Sequence, residues 1–154
     1  MRPIRIQCIF PDIKDATCFY RGIGPLRDLE RRGLVQVLLE KEVSWYTMRG
    51  ADVIFFQRPF HTEHLNMIQC AKRNRKKIWL DYDDNLFCVH PSNSQHPIYN
   101  DPMTTATIVR MLDLADVVTV ATPALAAAFE GLPGGKRPLV IPNAYDEELM
   151  PDIS

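Results

Sequence analysis

Six short apolar runs recur along the chain: Arg5–Phe10, Leu34–Leu39, Asp52–Gln57, Ile78–Leu80, Asp116–Ala121 and Leu139–Ile141. Asp52–Gln57 and Asp116–Ala121 are apolar on both faces, the pattern of strands buried on two sides in a parallel sheet. Between the runs the apolar positions change to helical spacing. Leu26 and Leu29, followed by Arg31-Arg32-Gly33, predict a helix near Gly24–Arg32. Ser44–Arg49 predicts a brief helix ended by Gly50, and Leu65, Ile68 and Ala71 mark another over Thr62–Asn74. Asp101-Pro102 and Thr122-Pro123 are cap and first-turn pairs. Ile108, Met111, Leu112 and Ala115 form the stripe behind the first pair; Leu125, Ala128, Phe129 and Leu132 form it behind the second. Strands and helices alternating through short loops imply right-handed crossovers. The expected fold is α/β: a Rossmann-like, doubly wound, mostly parallel sheet of about six strands with helices on both faces. It is expected to occupy residues 1–146, with 147–154 as a C-terminal tail or the start of an interdomain linker.

Composition narrows this little. The 154 residues, 46% hydrophobic and 24% charged, suit one globular domain. A net charge of −1 gives no reason to expect a general nucleic-acid binder. No apolar run approaches the ~20 residues that span a bilayer. The N-terminal segment has two arginines but no continuous apolar core, so it reads as a strand and not as a secretion signal. The expected compartment is the cytoplasm, with Cys8, Cys18, Cys70 and Cys88 as free thiols in no zinc-like spacing. The twelve prolines cluster at predicted element ends and suggest ordered turns.

In doubly wound sheets ligands bind beyond the C-terminal strand ends. Pro11–Gly24, Arg58–His64, Asp81–Asn100, Thr122 and Asn143 fall there. Gly22-Ile23-Gly24-Pro25, flanked by Tyr20 and Arg21, is either a close-approach loop for an anion at a helix start or a tight turn. With Leu26 and Arg27 in the later positions it is no dinucleotide fingerprint. Asp81, Asp83 and Asp84 are three carboxylates in four residues: a cation- or hydroxyl-binding cluster, or an Asx-type turn. Position favours a site. His90 and His96 are acid–base candidates in the loop that follows. Arg58 would meet a phosphate or carboxylate, or pair with one of the aspartates. His61 and His64, spaced i, i+3, lack a third ligand, and no metal site is expected. The Lys72–Lys77 basic run is accounted for by a helix end and its dipole without any partner. Trp45 and Tyr46 are expected to pack in the core or at its rim.

Four segments in order carry a resemblance. Ala51-Asp52-Val53-Ile54-Phe55-Phe56-Gln57-Arg58-Pro59, Ile78–Phe87, Asp113–Leu125 and Val140-Ile141-Pro142-Asn143-Ala144-Tyr145-Asp146 resemble the N-terminal half of GT-B glycosyltransferases, especially the retaining family four of bacteria and phage. The resemblance implies an acceptor-binding half of a nucleotide-sugar-dependent enzyme, with a glycan or other hydroxyl-bearing acceptor. Gly22 and Gly24 would then lie near the donor phosphates, Asp83 and Asp84 would face acceptor hydroxyls, and His90 or His96 would lie near the reacting centre. It implies no tightly bound cofactor; the nucleotide sugar is a co-substrate held mainly by a C-terminal half that the sequence lacks. The expectation is a fragment, or a short natural protein with little turnover alone, whose exposed interdomain surface suits a donor-binding partner or a homodimer. Two other functions compete. One is a magnesium-dependent phosphoryl-transfer enzyme of the haloacid-dehalogenase type, with Asp81 as nucleophile and Asp83 as acid–base; against it, Asn85 stands where Thr is usual. The other is a non-catalytic module that docks on a partner chain.

Overall fold

The computed structural model describes residues 2–11, 14–39, 44–132 and 137–143. Their strands are β1 (Ile4–Ile9), β2 (Val35–Leu39), β3 (Val53–Gln57), β4 (Lys77–Tyr82), β5 (Val117–Val120) and β6 (Leu139–Val140). All are parallel, in the order β2-β1-β3-β4-β5-β6. The helices are α1 (Ala16–Cys18), α2 (Gly24–Arg31), α3 (Trp45–Arg49), α4 (Thr62–Arg73), α5 (His96–Tyr99), α6 (Pro102–Leu114) and α7 (Pro123–Glu130). The fold is therefore α/β and Rossmann-like, as the alternation implies. Among the described residues no helix is long and apolar enough to cross a membrane.

The order reverses direction once, between the β1–β2 and β2–β3 crossovers, and this splits the helices between two faces. Met48 of α3, Ile68 and Ala71 of α4, Ile108 and Met111 of α6, and Leu125 and Phe129 of α7 share one core with Ile54, Phe56, Ile78 and Leu80. The alternate strand positions Ile6, Cys8, Val35, Val37 and Phe55 pack with Leu26 of α2 on the other face. This is the two-residue period of strands buried on both sides.

Caps set the helix starts. Asp101, Thr122 and Ser44 each accept a backbone N–H from the third residue of the helix they precede. Ala128 is exposed and Ala126 is buried in its place, so the inward stripe of α7 is Leu125, Ala126 and Phe129. Trp45 packs against the core, but Tyr46 projects into solvent, 84% exposed.

Two boundaries differ from expectation in ways that matter for the site. Asp81 lies inside β4, paired in register with Thr119 of β5, and does not begin the following loop. The helix expected near Gly24–Arg32 is α2, Gly24–Arg31, but it does not start from a loop: α1, capped by Asp15, and a π-helical turn, Phe19–Ile23, run directly into it. The Gly24 N–H bonds to the Phe19 carbonyl, so no free helix N-terminus exists at that glycine.

Candidate functional site

The C-terminal ends of the central strands carry two linked polar constructions. The first is buried. Asp81 and Arg21 are each 2% exposed at the side chain. Arg21 donates from Nε to Asp81 Oδ2 at 3.1 Å and from Nη2 to Oδ1 at 2.5 Å, a bidentate fork. Thr119 Oγ1 donates to the same Oδ1 at 2.5 Å and accepts from Trp79 Nε1 at 2.8 Å. Arg21 Nη1 also donates to the Ile141 carbonyl and reaches Asn143 Oδ1 at 3.4 Å. Arg21 and Asn143, two expected ligand-binding residues, are thus brought together, and Arg21 is committed to protein partners.

The second construction is a cleft. Arg58 directly follows β3, in left-handed backbone (φ +49°). Its N–H donates to the Asp81 carbonyl at 2.7 Å, which joins it to the buried network. Its guanidinium meets three carboxylates: Asp15 at 2.7 Å, Asp84 at 3.6 Å and Asp83 at 3.8 Å. Burial works against the Arg58 charge, but Asp83 and Asp15 outweigh it and raise its pKa. Burial pushes the Asp83 carboxyl upward; Arg58 opposes this and Asp84 adds to it. Asp83 Oδ1 is buried without a hydrogen-bond partner. Asp15 is held below the usual carboxylate range, first by the Thr17 N–H it caps.

Arg58, Asp84, Asn85, His90 and Tyr99 line the cleft, whose volume is about 340 Å3. Asn93, Gln95 and Cys88 add polar atoms, and Leu86 and Val89 supply apolar wall. The Tyr99 hydroxyl is raised by burial, with Arg58 opposing and Asp84 and Asp83 adding to it. His90 Nδ1 accepts from the Ser92 N–H at 3.2 Å and lies 2.8 Å from Ser92 Oγ. A neutral imidazole that accepts at Nδ1 carries its proton on Nε2. His96 is not among the lining residues. It opens α5, the short helix that ends at Tyr99, and its N–H donates to the Asn93 carbonyl at 2.9 Å.

Gly22 lies in the π-helical turn and Gly24 opens α2. Gly22 and Gly24 are both buried. A Cβ at 22 would stand 2.3 Å from Phe10 Cε1 and 3.3 Å from Phe55 Cε1, so close ring packing accounts for this glycine. Tyr20 is half-buried, with its ring edge-on to Phe19. The three aspartates also divide: Asp81 turns to Arg21, while Asp83 and Asp84 turn to Arg58. Among the described residues no group of three His, Cys, Asp or Glu side chains is arranged to hold a metal ion. The His61 and His64 rings lie 5.6 Å apart, tilted 56° to each other, and the His64 pKa is pushed down to about 4, by burial first and then by His61.

Asp15, Asn85, Thr119 and Tyr99 carry contacts that sequence patterning did not single out. Asn85 and Tyr99 sit within the long polar stretch after β4, so its location was readable although the inward residues were not. Neither a family model nor a curated protein nor a solved structure matches the chain.

Proposed function

We propose that this chain is the acceptor-binding half of a retaining, nucleotide-sugar-dependent glycosyltransferase of the GT-B type. The observation that carries the proposal is the polar cleft at the C-terminal ends of β3 and β4. Arg58, Asp84, Asn85, His90 and Tyr99 line it with both donors and acceptors. That is the chemistry a polyhydroxylated acceptor needs, because each hydroxyl both donates and accepts. Asp84 accepts from one acceptor hydroxyl, His90 and Asn85 orient others, and Arg58 positions the carboxylates. The ordered resemblance of four segments supports the same assignment. The nucleotide sugar would be held by a donor-binding half, where the departing diphosphate is stabilised.

The phosphoryl-transfer alternative asks Asp81 to be a free nucleophile. Asp81 is 1% exposed and both its oxygens are hydrogen-bonded, so the placement favours a structural role.

Thermal unfolding with a panel of neutral saccharides, nucleotide sugars and free nucleotides, with and without magnesium, tests the proposal. A ligand at about 100 times its Kd adds roughly 2.7 kcal/mol to stability. Stabilisation by a saccharide, lost in Asp84→Asn, is expected, with little or none from nucleotide sugars. Absence of any saccharide effect, or magnesium-dependent hydrolysis of a phosphoester, would overturn it.

A further inference from the structure

The N-terminal edge of the sheet, opposite the cleft, concentrates positive charge on a chain whose net charge is −1. Backbone hydrogen bonds place its parts side by side. Ile4 N–H bonds to Leu34, Asp52 N–H to Arg5, Lys77 N–H to Asp52, and Asp116 N–H to Ile78. Lys76 Nζ donates to the carbonyls of Arg49 and Ala51, which brings the end of α3 against the turn after α4. From β1 to β5 the described residues of this edge hold three carboxylates: Asp52, Asp116, and Asp113 in the last turn of α6, which pairs with Arg110. Asp52 is paired with Arg2, and Asp116 with Lys72 and Lys77. Arg49, Arg73 and Arg75 are exposed and form no ion pair among the described residues. Arg75 stands in left-handed backbone, φ +59°, where glycine or asparagine is usual. Helix dipoles account for Arg49 at the end of α3 and Arg73 at the end of α4; Arg75, past the end of α4, adds a further cation beside them.

Apolar side chains are interleaved with this charge. Ile4 and Leu34 are 51% and 57% exposed and adjacent through the bond between their backbones. Tyr46 lies three residues before Arg49, on the same face of α3.

We infer that this edge is a peripheral docking surface for an anionic lipid bilayer. Unpaired guanidinium groups meet the lipid phosphates and carboxylates, while Ile4, Leu34 and Tyr46 enter the headgroup region. Phosphate on a nucleic acid offers the cations the same chemistry but gives two exposed aliphatic side chains nothing to enter. The bilayer would sit at the edge opposite the cleft, so docking leaves the cleft open.

Co-sedimentation of the full chain with phosphatidylcholine vesicles, with and without about one-third phosphatidylserine, tests this. Binding to the anionic vesicles only, weakening as salt is raised, is expected. Arg49→Glu/Arg73→Glu/Arg75→Glu should lose about tenfold or more in affinity. The milder Arg73→Gln/Arg75→Gln pair serves if charge reversal prevents folding. Ile4→Ser/Leu34→Ser should weaken binding while preserving its salt dependence. The inference is overturned by no binding at low salt, by equal binding to vesicles without anionic lipid, by arginine variants that bind like the parent, or by tighter binding to an oligonucleotide than to the vesicles.

Discussion

Arg21 and Asp81, sixty residues apart, form a bidentate ion pair with almost no solvent exposure, joining the π-helical turn to the end of β4. Such a pair is a poor source of net stability but a costly thing to break, because either partner alone is a buried, uncompensated charge. Asp81→Leu and Arg21→Met should each destabilise the fold by about 3–5 kcal/mol. The double variant Arg21→Met/Asp81→Leu should recover much of that loss. Urea denaturation of the four proteins measures the coupling, and additive losses would show that the pair does not act as a unit.

Gly22→Ala should cost about 1–3 kcal/mol, since the new methyl overlaps the Phe10 ring. Shrinking that ring, in Gly22→Ala/Phe10→Leu, should restore part of the loss. If the glycine instead served ligand approach, the single variant would keep its stability and the second change would add its own cost. Denaturation midpoints of the two variants separate these outcomes.

Acid stability should depend on Asp116. Burial raises its pKa, but the Ile78 N–H, Lys72 and Lys77 together hold it down to about 2. A carboxylate lowered in the folded state contributes fully above its unfolded pKa, and the contribution is lost as pH falls through the folded value. The window runs from about 4 down to about 2. Asp116→Asn should be less stable than the parent at pH 7, and the gap should close across that window. A gap unchanged down to pH 2 in pH-dependent unfolding would contradict this.

His64 acts on a higher window. With its folded pKa pushed down to about 4 by burial, the folded protein binds fewer protons than the unfolded chain. Stability should therefore fall as pH drops from about 6.5 toward 4. His64→Phe should remove that component, and NMR titration of the imidazole should show it neutral at pH 6.

Removing the Arg58 guanidinium would leave Asp15, Asp83 and Asp84 without their shared cation. In Arg58→Ala the Asp83 carboxyl should titrate still higher, because the group opposing its upward shift is gone. The variant should also lose saccharide binding. Carboxyl-carbon NMR reads the first effect and thermal unfolding with saccharide reads the second.

The strands and helices were legible because both faces of the central strands are buried. A run such as Val53–Gln57 then stays apolar regardless of which helices cover it. The cap signals at Asp101 and Thr122 were equally local, since a cap bonds only three residues ahead. The helix at Gly24–Arg31 was legible too, but the helical run that leads into it was not. Gly and Pro at positions 24 and 25 look like a boundary locally, but the helix continues through a π-turn that buries Arg21 and Gly22.

What the sequence alone determined is the fold class, the six strands and the stretch of chain that holds the cleft, because periodicity and caps are short-range properties. Which carboxylate is structural and which lines a cleft was decided only by tertiary structure. Asp81, Asp83 and Asp84 are almost equivalent by sequence. Asp81 is still inside β4 and lies under Arg21, from sixty residues earlier, whereas Asp83 and Asp84 follow the strand's end at Tyr82 and meet Arg58. Burial and charge pairing depend on what the fold brings near, and no local pattern records the partner.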